Sequence, residues 1–166
     1  MGMLTSEVED GVLTLGVDGP HFGLGEIDYA LTVQKLSDVT IDGAGDIDAD
    51  FTGADDITIT IHGSGDIDGT GVDAGTVTNS IDGAGDIGLT GRADSHSLHI
   101  DGSGNFDGQD FVTKKATVSI AGSGDIEVNV TDHLDADISG SGEIRYTGGA
   151  EVSSSVSGSG SVTQDD

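Results

Sequence analysis

The sequence has no cysteine and no tryptophan, a single proline, two tyrosines and four phenylalanines. Without cysteine there is no disulfide, no thiolate metal site and no cysteine nucleophile. Basic residues are almost as scarce: five Lys and Arg stand against 31 Asp and Glu, for a formal net charge of −26. Phosphate recognition needs clustered Lys or Arg, so nucleic acid is excluded as a partner. An anionic membrane surface is disfavoured for the same reason. No apolar run approaches the ~20 residues that cross a bilayer as a helix, so no transmembrane segment is expected.

High acidity with few aromatics is a composition of disordered chains. Here 34% of residues are hydrophobic and regularly spaced, which points to a folded chain. Self-repulsion at −26 would strain a compact fold in dilute buffer, but at ~1 M salt the Debye length falls to ~3 Å. Asp outnumbers Glu heavily, and lysine is reduced to Lys35, Lys114 and Lys115. This is the surface of a protein kept soluble in concentrated salt, with solvent cations as its counterions, and a halophilic source is expected.

A repeat fills most of the chain. Ile41-Asp42-Gly43-Ala44-Gly45-Asp46-Ile47 returns from Ile61, Ile81, Ile100, Ile120, Ile138 and Val156. The first glycines, 43, 63, 83, 102, 122, 140 and 158, are spaced by 20, 20, 19, 20, 18 and 18 residues. That period is too short for helical repeats and suits one coil of a β-solenoid. Period-two apolar alternation agrees. Two residues before each first glycine lie Ile41, Ile61, Ile81, Ile100, Ile120, Ile138 and Val156. Four before, from the first copy to the sixth, lie Val39, Ile59, Asn79, Leu98, Val118 and Ala136. Six before, from the second copy on, lie Ile57, Val77, His96, Ala116, Leu134 and Val152. A fourth column follows the glycines: Ile47, Ile67, Ile87, Phe106, Ile126, Ile144 and Val162. All four are expected inside, stacked at the ~4.8 Å strand spacing into a core that no single coil could bury alone.

The Gly-x-Gly segment reads as a sharp corner, with the small residue between the glycines marking a crowded column. A phosphate-binding loop would need a strand-to-helix transition, and no helical period follows. Val12–Val17 and Ile27–Val33 alternate like strands but lack the motif. Residues 1–36 are therefore expected to form irregular first coils or a cap, and 37–166 the repeat solenoid. The polar tail Thr163-Gln164-Asp165-Asp166 is a candidate to blunt the other end.

Ile138-Ser139-Gly140-Ser141-Gly142-Glu143-Ile144 and its six companion copies resemble the putative auto-transporter adhesin head GIN domain family. The likeness runs roughly from Val8 to Val162. It includes the Leu13-Thr14-Leu15 lead-in and the Tyr146-Thr147-Gly148 that follows the sixth copy. The resemblance implies a right-handed parallel β-helix and an extracytoplasmic setting, secreted or lipid-anchored. It brings no catalytic residues. Met1-Gly2-Met3 begins almost inside the likeness, with no signal peptide or lipobox, which points to a trimmed chain.

Smaller motifs carry competing readings. Met1 to Ser6 matches an N-myristoylation pattern by coincidence, and Asn129-Val130-Thr131 is a glycosylation sequon. Gly-x-Gly-Asp-Ile resembles the calcium nonapeptide of β-rolls, but its Asp recurs every ~20 residues rather than every nine. His62 should stack between Asp42 and Asp82, as a zinc ligand or as a plain surface histidine. Asn79 and His96 fall on inward columns and need hydrogen-bond partners there. Thr58 and Thr60, Thr78 and Ser80, Ser97 and His99, and Thr117 and Ser119 line one flat side, with Asp135 and Asp137 interrupting. Such ranks occur in ice-binding solenoids, and also follow from the strand propensity of Thr. Outward acids gather at the corner: Asp42, Asp46 and Asp48; Asp66 and Asp68; Asp82 and Asp86; Asp101, Asn105 and Asp107. Their ~4.8 Å stacking needs an offset from turn N–H groups, solvent cations or Ca²⁺.

No nucleophile–base constellation stands at recognisable spacing. A lyase-type clamp would have only Arg92 and Arg145 to draw on. The expectation is a single all-β chain, a right-handed parallel β-helix of about seven coils with ~20 residues each. No catalytic, metal or cofactor residue is assigned. It would act as a non-enzymatic, extracytoplasmic interaction module, adhesin-like or envelope-associated, for an unidentified surface ligand. The alternative is a bactofilin-like structural solenoid that polymerises end to end, and a homo-oligomer fits either reading.

Overall fold

Alternating Ile, Val and Thr are stiff at χ1 and favour the pleated backbone, and the computed structural model, which describes residues 3–18 and 27–165, contains strands and no helix. It divides into two units, Met1–Val33 and Gln34–Asp166, described here separately.

In the first unit, β1 (Met3–Glu9) pairs antiparallel with β2 (Val12–Asp18), with Glu9 opposite Val12 across a two-residue turn. Asp10 and Gly11 both take positive φ, 50° and 83°, as a type I′ hairpin turn requires. Residues 3–18 are therefore a hairpin rather than irregular solenoid coils, because the Asp-Gly turn folds the chain straight back. The strand expected over Ile27–Val33 does not form. Alternation yields a strand only where a ladder partner exists; none of the described residues pairs with it, and Tyr29, Leu31 and Val33 are exposed.

The second unit is a parallel β-solenoid of about seven turns. Its first strands are β3 (Asp38–Gly43), β4 (Asp46–Asp50) and β5 (Asp56–Gly63). Four long bent strands follow: β6 (Asp66–Gly83), β7 (Asp86–Gly102), β8 (Asn105–Gly122) and β9 (Asp125–Gly140). It closes with β10 (Glu143–Thr147), β11 (Glu151–Gly158) and β12 (Ser161–Gln164). Every pairing in this unit is parallel, and each coil pairs with the next. Ile41, Ile61, Ile81, Ile100, Ile120, Ile138 and Val156 stack in one register, as the repeat predicted.

The four expected columns form the core, except in the end coils, where Ile47, Val152 and Val162 are half-buried and Val156, expected inside, is exposed because no described coil covers it. Ile59, Ile61, Val77, Ile81, Ile100, Ile126, Leu134, Ile138 and Ile144 are completely buried. Each such side chain contributes roughly 1.5–3 kcal/mol. Three further inward columns complete it. Ala49, Gly69 and Leu89, then Gly108 and Val128, make the first; Val72 and Phe111 share a register through Gly91; and Ala74, Ala93, Thr113 and Val130 stack in the third, with Phe51 buried beside Gly69. Small and large residues compensate here: a Cβ on Gly69 would enter the space of Leu89 and of the Phe51 ring.

The Gly-x-Gly corner is crowded at its glycines. Gly83 has φ 141°, and a Cβ there would strike the Gly63 carbonyl of the coil below. The residue between the glycines is exposed instead, at Ser64, Ala84, Ser103 and Ser123. The expectation of a crowded middle residue is thus corrected: its side chain points to solvent. Its N–H donates to the preceding coil's corner, as from Ala84 to Gly63 O at 2.8 Å. Coil length varies at the opposite corner, where the register shifts between Gly69 and Val72, Gly88 and Gly91, and Gly108 and Val112.

Thr163 and Gln164 lie within β12, and the Asp165 N–H donates to Tyr146 O at 2.9 Å. The described part of the polar tail is thus a continuation of the last coil, not a cover over it.

Candidate functional site

In a solenoid the core columns are occupied by packing, so recognition falls to the outward columns. The first runs beside the glycine corner. Asp66 Oδ1 accepts the Asp86 N–H at 3.0 Å, and Asp86 Oδ1 accepts both the Asn105 N–H and its Nδ2 at 2.9 Å. Asn105 Oδ1 accepts the Asp125 N–H and Asp125 Oδ1 the Glu143 N–H, each at 3.1 Å. Of the three offsets open in the sequence, turn N–H groups are visible at each of these steps. The acids are a ladder of side chain-to-backbone bonds between coils. Among the described residues, no three His, Cys, Asp or Glu side chains converge as a metal ion would need. Asn105 performs the same acceptor role without charge. Asp86→Asn is therefore expected to leave stability unchanged or raise it slightly in dilute buffer. Asp86→Ala should cost about 0.5–1.5 kcal/mol for the lost bonds. Urea midpoints of the two variants check this.

His62 stands in register between Asp42 and Asp82, as expected, and its Nδ1 lies 2.9 Å from Asp82 Oδ2. Both partners are about half exposed, and the arrangement is a surface pair.

Four of the five basic residues are drawn into ion pairs. Arg92 grips Asp73 with two parallel bonds, Nε to Oδ1 at 2.8 Å and a terminal guanidinium nitrogen to Oδ2 at 2.7 Å. That hydrogen bonding lowers the Asp73 pKa and raises that of Arg92. Lys114 lies 2.6 Å from Asp94, which raises the lysine pKa. Lys35 approaches Asp55 at 3.9 Å. Arg145 bonds Glu127 and Glu143, and its hydrogen bond holds the Glu127 carboxyl below its usual range. Arg92 and Lys114 line a shallow open groove of about 340 Å³ at the variable corner. Both arginines considered for a lyase clamp thus already hold carboxylates of this chain.

The flat side is different. Thr58, Thr78, Ser97 and Thr117 stack in one register and are exposed. Two residues along each strand, Thr60, Ser80, His99 and Ser119 form a second rank. His99 Nδ1 meets Ser119 Oγ at 2.8 Å. The hydroxyls form a lattice of about 4.8 Å between coils and about 6.8 Å along the strands. Asp38, Asp135 and Asp137 bound it in the same registers. Around His99 it is a rank of uncharged hydroxyl donors and acceptors on a chain of net charge −26.

Behind this face lies a polar pair. Asn79 and His96 are buried, and Asn79 Nδ2 lies 3.1 Å from His96 Nε2. Among the described residues, Asn79 Oδ1 and His96 Nδ1 have no hydrogen-bond partner. The imidazole packs at 4.9 Å from the Phe106 ring centre and 5.3 Å from that of Phe111, and burial lowers its pKa to about 3. It is a neutral core histidine. The sequon residue Asn129 is half-buried in β9, its Nδ2 donating to Gln109 O at 3.3 Å. The N-terminal pattern begins at Met1 and Gly2, outside the described residues.

A parallel solenoid with its ordered polar groups ranked along open outward faces is a surface-presenting β-helix module. The chain belongs to the family described as "putative auto-transporter adhesin, head GIN domain", whose model matches residues 1–150. It is similar to a crystal structure of a "putative adhesin" from Bacteroides fragilis, at 26% identity and a TM-score of 0.86, covering 98% of this chain and 76% of that one. A "putative lipid binding protein" from Parabacteroides distasonis is 27% identical with a TM-score of 0.69, covering 98% of this chain and 79% of the other. A "putative adhesin" from Parabacteroides merdae shares the fold at 22% identity, a TM-score of 0.70, and coverage of 98% and 78%. No curated protein matches the chain.

Proposed function

We propose that the chain is a non-enzymatic, adhesin-like interaction module of the cell envelope that lays its hydroxyl face against an uncharged glycan. The single observation carrying this reading is the neutral Thr and Ser lattice on an otherwise acidic surface. A neutral hydroxyl-rich ligand can approach it without desolvating carboxylates, which would be costly. An anionic ligand would be repelled by the surrounding acids. Membership of a family described as adhesin-like supports an extracytoplasmic place.

The test is retention on arrays of neutral and acidic glycans in molar KCl. Neutral glycans should be retained, and the double variant Thr78→Asp/Ser97→Asp should lose them while keeping its melting temperature. Retention unchanged in that variant, or confined to charged ligands, would refute the reading.

The charge further suits a halophilic setting. Melting temperature is expected to rise from ~0.1 M to ~2 M chloride as carboxylate repulsion is screened. A flat or falling series would exclude a salt-adapted surface.

A further inference from the structure

The last coil breaks the charge pattern of the whole chain. From Val152 to Gln164 there are 13 consecutive residues with no Asp, Glu, Lys or Arg. The next longest such stretches are nine residues, 57–65 and 116–124. In register with Asp135 and Asp137 of β9 stand Ser153 and Ser155 of β11. In register with Glu143 and Arg145 of β10 stand Ser161 and Thr163 of β12. Each of these four charged positions is replaced by a hydroxyl one coil later, while Glu151, the first residue of β11, stands over His133.

Among the described residues, the same coil is the last of the stack. Among the described residues, β11 pairs only with β9 and β12 only with β10, so both leave one edge unpaired. Val156 is 43% exposed, where Ile138 in register below it is completely buried. Natural proteins block open edges with charges, proline or bulges. Here the sequence removes charge at the edge that most needs it.

We propose that this end is a self-association surface, at which β11 and β12 pair antiparallel with the same strands of a second copy of this chain. Charge selects the occupant. Two chains of −26 can pair edge to edge without burying a carboxylate only where neither edge carries one, as from Val152 to Gln164. The opposite end of the stack differs: β3 and β4 carry Asp38, Asp42, Asp46, Asp48 and Asp50. Tail-to-tail pairing therefore buries no carboxylate between Val152 and Gln164, whereas head-to-tail growth would bury the acids of β3 and β4, and a two-fold contact closes at the dimer instead of extending into a filament. Ser153 and Ser155 continue the registers of the two hydroxyl ranks beyond Asp135 and Asp137, so glycan retention is measured on Ser153→Asp/Ser155→Asp as well, and loss of assembly with retention kept separates the two readings.

The test is sedimentation equilibrium of the whole chain in molar KCl over a wide concentration range. The expected species is a dimer in equilibrium with monomer. Ser153→Asp/Ser155→Asp restores the acids that β9 carries in the same registers, so the fold should tolerate it, and it should shift the chain to monomer. An unchanged melting temperature, taken at a concentration where the wild type is monomeric, confirms that folding is intact. A wild type that stays monomeric throughout, filaments in electron micrographs, or a dimer unaffected by the double variant would each overturn the proposal.

Discussion

Acidification from pH 6.5 towards pH 3 is expected to remove roughly 4–5 kcal/mol of folding stability through His96 alone. Buried between Phe106 and Phe111, the folded imidazole stays neutral to about pH 3, while the unfolded one protonates near 6.5. Above pH 6.5 neither state binds the proton and His96 contributes no pH dependence. Below it the unfolded chain takes up a proton that the folded chain refuses, so stability falls by about 1.4 kcal/mol per unit. The loss ends near pH 3, where the folded state protonates too. The measurement is a urea series at several pH values, compared with Asn79→Leu/His96→Leu. Removing both partners leaves no orphaned amide, so the double variant should be at least as stable at neutral pH. The difference between the two proteins should grow as pH falls. A constant difference would show that His96 does not resist protonation in the folded state.

The second large effect is at the glycine corner. Gly83→Ala is expected to cost about 3–5 kcal/mol, combining a side chain at φ 141° with overpacking against the backbone of the coil below. The Gly63 carbonyl cannot move aside freely, because it accepts the Ala84 N–H. Ala84→Ser at the exposed middle position should change stability by less than ~0.5 kcal/mol, since surface substitutions away from special features rarely do more. Thermal melts of the two single variants separate backbone crowding from a general intolerance of change at the corner.

Four core columns were legible because Ile, Leu and Val recur at fixed offsets from Gly-x-Gly, and that corner keeps its length in every coil. The Leu89, Phe111 and Val130 columns were not. They lie across the opposite corner, where coil length changes, and glycine or alanine at Ala49, Gly69 and Gly108 carries no hydrophobic signal. The hairpin was readable from Asp10-Gly11 between two alternating runs, a turn signal that lies outside the glycine-spaced repeat. Ile27–Val33 misled for the converse reason: alternation describes a side-chain pattern and does not supply a backbone partner. At the candidate site the hydroxyl ranks were visible from spacing, since their registers follow from the repeat. The acid ladder was half visible. Its positions could be read, but the choice among N–H groups, solvent and calcium depends on backbone direction, which a list of residues does not contain.

In the solenoid unit the inter-strand hydrogen bonds point from coil to coil, along the stacking direction. Tension applied between its ends therefore pulls on the bonds of one coil interface at a time. A coil that yields frees 18–20 residues between successive corner glycines, or about 60–70 Å of extended chain. Stretched in this way, the molecule would lengthen in a few nearly equal steps, each dissipating work while the remaining coils keep their registers.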